Sequence, residues 1–278
     1  MTSAQALHTA QSRIAPVDAR LLLQHALGKS HAQLLTHPEQ VLTPAEEKLF
    51  LELVARRVSG EPVAYLIGER EFYSLNFKVS PAVLIPRPET ELLVDMALER
   101  IPADHPRKVL DLGTGSGAIA ISIAKQRPLA RVTAVDASDA AVAIAQANAS
   151  QLDAGNVRIV AGDWFNGLAG EKFDLIVSNP PYVADGDSHL AQGDLRFEPQ
   201  SALTAGADGL DCLRVIIAAA TAHLVAGGWL LLEHGYDQAE ACRKLLTAAG
   251  FDEVFSRPDL AGVMRVSGGR SEGGAAAA

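Results

Sequence analysis

The sequence predicts an α/β protein in which a small helical bundle and a hairpin linker precede a doubly wound, mostly parallel sheet. Three observations carry this. Residues 1–70 hold helix start and stop signals and no strand-like run. Residues 71–90 alternate aromatic and polar positions. From 91 to 270, near-continuous apolar runs alternate with helical stretches, the pattern of strands covered on both faces by crossover helices.

The bundle comes first. In "PVDARLLLQHALG" Asp18 lies near the start, apolar residues recur at helical spacing, and Gly28 stops the run. In "TPAEEKLFLELVARRVSG" Thr43 is the N-cap, Pro44 the first helical residue, Glu46 the third residue after the cap and Gly60 the stop. The linker "EFYSLNFKVSPAVLIPRPET" suits a β-hairpin. "KVLDL", "RVTAVD", "VRIVAGD", "FDLIVSN" and "GGWLLLEHG" then read as strands, with "GAIAISIAKQR" and "SDAAVAIAQANASQ" as helices between them. "FDEVFSRPDLAGVMRVSG" has two strand-like runs and no helix between them, so it reads as an antiparallel edge hairpin. Residues 271–278 are low in complexity and are expected to be disordered, either a natural tail or a cloning remnant.

The chain has 278 residues, 48% of them hydrophobic and 21% charged, which is the composition of a soluble globular protein. No apolar run is long enough for a membrane span, and the N-terminus lacks a secretory signal. Two cysteines make neither a disulfide framework nor a metal cluster, so a reducing cytoplasm is the expected location and no metal is expected. Net charge is −9. Basic residues come only in scattered pairs, without the stripe that nucleic-acid binding usually needs.

"VLDLGTGSGAIA" places Gly113, Thr114, Gly115, Ser116 and Gly117 between the first strand of the sheet and its helix. Glycines there allow a tight turn and close approach of a ligand to the backbone. Asp136 follows at the end of the next strand, where its carboxylate suits two ribose hydroxyls; its alternative is a role at the start of the following helix. The spacing G-x-G-x-G is not that of a pyrophosphate loop. A nucleoside with a short non-phosphate appendage fits better, and S-adenosylmethionine is the leading candidate. In "AGDWF", Asp163 can accept from an exocyclic amine and Trp164 can pack on adenine; Trp164 is otherwise an ordinary half-buried aromatic.

"SNPPY" ends the next strand. The Asn179 side-chain oxygen can accept one N–H of a planar NH₂ group, and the Pro180 carbonyl can accept the other. Pro181 is a rigid spacer, and Tyr182 offers a stacking face. Such acceptors suit an amide or an arylamine as methyl acceptor, because they stabilise positive charge growing on nitrogen. Chemistry alone leaves glutamine and adenine both open.

With "IPRPETE", "AVDAS", "GDWF", "SNPPYV" and "LRFEPQSAL" in this order, the sequence resembles the release factor glutamine methyltransferases, the PrmC/HemK family, over residues 10–270. The resemblance implies a helical substrate-docking domain at 1–70, a hairpin linker at 71–90 and a seven-stranded, Rossmann-like class I methyltransferase domain at 91–270. It implies S-adenosylmethionine on the Gly113–Gly117 loop, Asp136, Trp164 and Asn179, with S-adenosylhomocysteine as product. It implies a glutamine on Asn179, Pro180, Pro181 and Tyr182, belonging to the Gly-Gly-Gln loop of bacterial class-1 peptide release factors. A monomer with no direct nucleic-acid or membrane contact is expected. The alternative is an adenine-N6 methyltransferase on DNA or RNA, against which the acidic balance counts. Arg87, Glu89 and Thr90 either close over the cofactor or, for Glu89 and Thr90, cap the next helix. Glu198 either braces the loop after "NPPY" or is a surface carboxylate. His234 is expected to be structural, and Cys212 and Cys242 to be small core residues.

Overall fold

A computed structural model describes residues 1–272. The chain forms two compact units. One comprises Met1–Glu69 together with His189–Phe197, the other Arg70–Ser188 with Glu198 onward.

The first unit holds α1 (Ser3–Gln11), α2 (Pro16–Leu27), α3 (His31–Thr36), α4 (Pro44–Val58) and α5 (Val63–Ile67). Its helices start where side chains satisfy the orphan amides. Thr2, Ser30 and Thr43 each form a reciprocal capping box. Gly28 closes α2 in the left-handed conformation, at φ 61°. Leu22, Leu23, Phe50, Leu53 and Val54 meet in the centre of the bundle. The short segment 189–197 belongs to this unit although it comes from the middle of the chain. There Arg57 donates to Asp18 at 2.7 Å and to Asp194 at 3.3 Å.

The second unit begins with β1 (Glu69–Phe72) and β2 (Leu75–Lys78), joined by Tyr73 and Ser74. Both turn residues have positive φ, 51° and 60°, as a two-residue hairpin turn requires. Neither is glycine. α6 (Glu91–Arg100) supplies the compensation: Glu91 accepts from the Tyr73 amide at 2.8 Å, and Asp95 accepts from its hydroxyl at 2.7 Å.

β3 (Lys108–Leu112), α7 (Ala118–Gln126), β4 (Arg131–Asp136), α8 (Asp139–Gln151), β5 (Val157–Ala161), β6 (Phe173–Ser178), α9 (Asp211–Ala220), β7 (Leu224–Glu233), α10 (Ala239–Ala248), β8 (Phe251–Pro258) and β9 (Met264–Ser271) follow. They build one seven-stranded sheet in the order β5-β4-β3-β6-β7-β9-β8. The first five strands in that order are parallel; β9 and β8 run antiparallel, the expected terminal hairpin. Two apolar layers sandwich the sheet, one around Ile121, Ile123 and Leu93, the other around Ile216, Leu213 and Leu246. β3 and β6 are apolar and buried almost throughout, while β5, at an edge, is mostly half-exposed. The doubly wound fold read from the sequence is therefore the observed one. β9 reaches Ser271, one residue past the expected limit of the domain; the rest of the expected tail, beyond Glu272, lies outside the described residues. Among the described residues, no helix is long and apolar enough to cross a membrane.

Candidate active site

The strand order turns at β3. β4 and β5 lie on one side of it, β6 and β7 on the other. Ligands of open α/β sheets bind outside the carboxyl ends of the strands at such a reversal. The last residues of β3 and β6, Leu112 and Ser178, are register partners. Gly113 and Asn179 come next along each strand, so the glycine loop and the Asn-Pro-Pro-Tyr stretch flank one crevice. Ser178 locks the two ends together: its buried hydroxyl donates to the Leu112 carbonyl at 2.7 Å.

A cavity of about 300 Å³ opens there. Gly113, Thr114, Gly115 and Ser116 line it, and Gly117 does not. All three glycines have positive φ, yet their spaces differ. A Cβ on Gly113 would stand 3.6 Å from the Trp164 indole, and one on Gly115 would meet nothing within 4 Å. A Cβ on Gly117 would come within 2.8 Å of Ile121 and 3.3 Å of Ala145. Gly117 therefore lets α7 pack against α8, while the first two open the backbone to a ligand.

Beneath this loop lies Asp111, fully buried in β3 and not singled out in the sequence. It accepts from the Thr114 hydroxyl at 2.6 Å. Burial pushes its carboxyl up to about 7, against the Thr114 hydrogen bond and the Ala120 amide, with the Asp136 charge adding to the rise. Asp136 ends β4 in the cavity wall. It accepts from the Gly115 amide at 2.8 Å and from the Ser138 amide at 2.9 Å. Its two sequence readings are thus compatible: it braces the start of α8, and each oxygen keeps a lone pair for a sugar hydroxyl. Asp163 and Trp164 complete this side of the wall. The donor set fits S-adenosylmethionine: a carboxylate for a vicinal diol, an indole for an adenine face, and open amides at a helix start.

On the other side, Asn179 and Pro181 line the cavity. Pro180 is buried and Tyr182 half-buried, both outside the wall. Burial, then the nearby Glu233 charge, pushes the Tyr182 phenol well up. The backbone after the prolines is held firmly. Tyr182 and Val183 donate to the Leu203 carbonyl, and Gln238 donates to the Tyr182 carbonyl at 2.9 Å. Asn179 Nδ2 donates to the buried Thr90 hydroxyl at 3.2 Å. Thr90 precedes α6 but makes no side-chain cap there; it and Arg87 line the cavity, and Glu89 does not.

Arg87 Nη2 donates to both oxygens of Glu198, at 2.7 and 2.8 Å. The Glu198 side chain is fully enclosed, so it is no surface carboxylate: it ties the segment following Asn-Pro-Pro-Tyr to the "IPRPET" segment. Cys212 was expected in the core, yet it is half-exposed in the cavity wall, a place no local pattern signals. Cys242 is buried. His234 is also buried, bonded to Gly235 and Ser267. Burial lowers its pKa, as befits a neutral structural imidazole.

Residues 2–68 match the PrmC N-terminal domain and residues 89–200 the Methyltransferase small domain. Among solved structures, a methyltransferase from Pyrococcus furiosus aligns with TM-score 0.55 at 20% identity, over 79% of this chain and 97% of that one. A 16S rRNA N2 G1207 methyltransferase from T. thermophilus, solved with AdoMet and guanosine, aligns with TM-score 0.55 at 21% identity, over 73% and 49%. These show the fold. Curated relatives are much nearer. Proteins named release factor glutamine methyltransferase are 54% identical in Bordetella pertussis, over 91% of this chain and 94% of that one. In Xylella fastidiosa the identity is 54% over 96% and 97%, and in Pseudomonas aeruginosa 50% over 92% and 92%. Likeness of that depth, running through both units and both sides of the crevice, means that the chain belongs to the release factor glutamine methyltransferase family.

Proposed function

We propose that the protein transfers a methyl group from S-adenosylmethionine to the side-chain nitrogen, N5, of the glutamine in the Gly-Gly-Gln motif of bacterial class-1 peptide release factors. The observation that carries the substrate is the 54% identity to proteins named release factor glutamine methyltransferase; the setting of Asn179 supports the chemistry. Its nitrogen is engaged by Thr90, which leaves its oxygen as an acceptor beside the glycine loop.

S-adenosylmethionine, when bound, supplies an electrophilic methyl group. Gly113, Thr114, Gly115, Ser116, Asp136, Asp163 and Trp164 hold it, with Gly117 shaping the helix behind the loop. The protein's remaining task is to make an amide nitrogen nucleophilic. That nitrogen's lone pair is delocalised, and positive charge grows on it as it attacks. Asn179 Oδ1 accepts one of its N–H groups and the Pro180 carbonyl the other. Both interactions strengthen as charge develops, so they lower the barrier more than they tighten binding. Holding the nitrogen about 3 Å from its target supplies further rate through positioning. Asn179 is no base, and the methylated amide loses its extra proton to water. Pro181 keeps the spacing. Tyr182 contributes through its ring and through the backbone carbonyl that Gln238 anchors. The helical unit grips the release factor, and the enzyme works as a cytoplasmic monomer without direct nucleic-acid or membrane contact.

The test uses labelled S-adenosylmethionine with three substrates: a bacterial release factor, its Gln→Ala variant in the Gly-Gly-Gln loop, and duplex DNA. Label is expected in the first alone. Label in DNA but not in the release factor would overturn the substrate, and equal label in the Gln→Ala variant would overturn the acceptor atom.

A further inference from the structure

The methyl-transfer chemistry makes no direct use of one costly group behind Asn179. Glu233, the last residue of β7, is 2% exposed. Its neighbour Leu232 is the register partner of Ser178, the residue before Asn179. Burying a carboxylate is expensive unless it is paired and hydrogen-bonded. Here Oε2 is enclosed with no hydrogen-bond partner, while Thr90 and Asn179 stand close enough to favour the ionised form of the group. Nothing local in the sequence joins these three residues. The sheet and the start of α6 bring them together.

The direction of the hydrogen bonds follows from counting protons. An ionised carboxylate only accepts. The Thr90 hydroxyl has one proton, and the ionised Glu233, whose charge Thr90 favours, draws it. Toward Asn179, Thr90 then presents a lone pair, which accepts from Asn179 Nδ2. A flipped Asn179 would set its oxygen against acceptors alone, so the amide has one satisfactory orientation. In it Oδ1 is the atom left for a ligand, and Asn179 lines the cavity. We propose that Glu233, acting through Thr90, is a positioning residue that fixes the Asn179 amide with its oxygen toward the methyl acceptor. This rests on the methyl-transfer reading above. The chain of donors also polarises Asn179, strengthening Oδ1 as an acceptor while positive charge grows nearby.

The charge state of Glu233 matters to this device. Burial pushes its carboxyl up to about 7. Thr90 and Asn179 oppose that rise by favouring the ionised form; Arg265 on β9 favours the charge, and Glu89 beside Thr90 disfavours it. Tyr182 after β6 feels the same charge. Once Glu233 is protonated it can donate to Thr90, and the hydroxyl proton is freed to turn toward Asn179. The amide then loses its single orientation.

Glu233→Gln keeps the shape and makes the same reversal permanent, because its Nε2 can donate to Thr90. The experiment takes Glu233→Gln, Thr90→Val and Thr90→Ser in the full chain. It measures single-turnover methyl transfer to a release factor between about pH 5.5 and about pH 8.5, the affinity for S-adenosylhomocysteine by calorimetry, and the Asn179 side-chain amide signal by ¹⁵N NMR. Glu233→Gln and Thr90→Val should slow transfer about 10-fold to 100-fold, as loss of an orienting partner does elsewhere, with product affinity unchanged. Thr90→Ser, which keeps the hydroxyl, should recover most of what Thr90→Val loses. Wild-type turnover should fall as pH drops through the Glu233 titration, and Glu233→Gln should be flat over that range. The Asn179 amide protons should be protected from exchange in the wild type and exposed in Glu233→Gln. Full turnover in Glu233→Gln, or a loss that tracks product affinity, would overturn the proposal. So would equal exchange of the amide protons in both proteins. If the wild type methylates no release factor, the function itself fails, while the amide signal still decides the orientation.

Discussion

Two strand ends of the sheet carry the same pair of groups, a buried carboxylate and a threonine, used differently. At the end of β3, Asp111 binds Thr114, three residues away, and the pair shapes a backbone loop. At the end of β7, Glu233 stands near Thr90, a residue distant in sequence, and in the proposed device the pair orients one side chain, Asn179, which donates to Thr90. Both carboxyls are pushed up to about 7, burial being the first cause in each. A cradle for a cofactor can be built from neighbours in sequence, because glycine backbone does the work. The proposed methyl-acceptor site needs one amide held one way round, and that takes partners from three separate elements.

The comparison breaks most sharply at Asn179. Asn179→Ala removes the acceptor and leaves the loop untouched. Turnover should fall about 10²-fold to 10³-fold, the usual cost of losing a partner aimed at developing charge, with cofactor affinity nearly unchanged by calorimetry. A loss confined to affinity would place Asn179 on the cofactor side of the comparison.

Next comes Asp111→Asn, which tests the β3 end through stability. The folded pKa of Asp111 is raised above its unfolded value of 3.8. Its contribution to stability is therefore greatest at acid pH and is lost as pH rises through about 7. Over that range the loss should be on the order of 3 kcal/mol. Urea unfolding at about pH 5 and about pH 8.5 should show that fall in the wild type and a smaller one in Asp111→Asn. Equal pH dependence in the two proteins would mean that Asp111 does not carry the shift.

The smallest expected effect is that of Trp164→Ala, which removes the indole standing over Gly113. Cofactor affinity should weaken by roughly 1–2 kcal/mol, a stacked aromatic's share, with turnover at saturating cofactor almost unchanged. A drop in turnover with intact affinity would assign Trp164 to the acceptor side instead.

The same comparison explains what could be read from the sequence. "VLDLGTGSG" is local, so its turn, its positive φ and its helix start follow from the order of residues. "SNPPY" showed a strand end with acceptors, because two prolines cannot continue a strand. Other features depend on the third dimension. Glu233 looks like an ordinary strand residue in "LLLEHG", and Thr90 like a helix cap in "RPET". The pairing of β6 with β7 brings Glu233 beside Asn179, and the packing of the start of α6 does the same for Thr90. The Arg87–Glu198 pair spans 111 residues, so the enclosure of Glu198 was equally hidden. Gly117 teaches the reverse. It completes a motif, yet its space is taken by Ile121 and Ala145 rather than by the cavity.

The proposed function turns on where the methyl group goes. Incubation of the protein with S-adenosylmethionine and a release factor, then fragment mass spectrometry of the substrate, locates it directly. One added methyl is expected on the glutamine of the Gly-Gly-Gln motif, absent when Asn179→Ala replaces the wild-type enzyme at equal time. A methyl group on any other residue, or an unmodified glutamine after complete turnover, would contradict it.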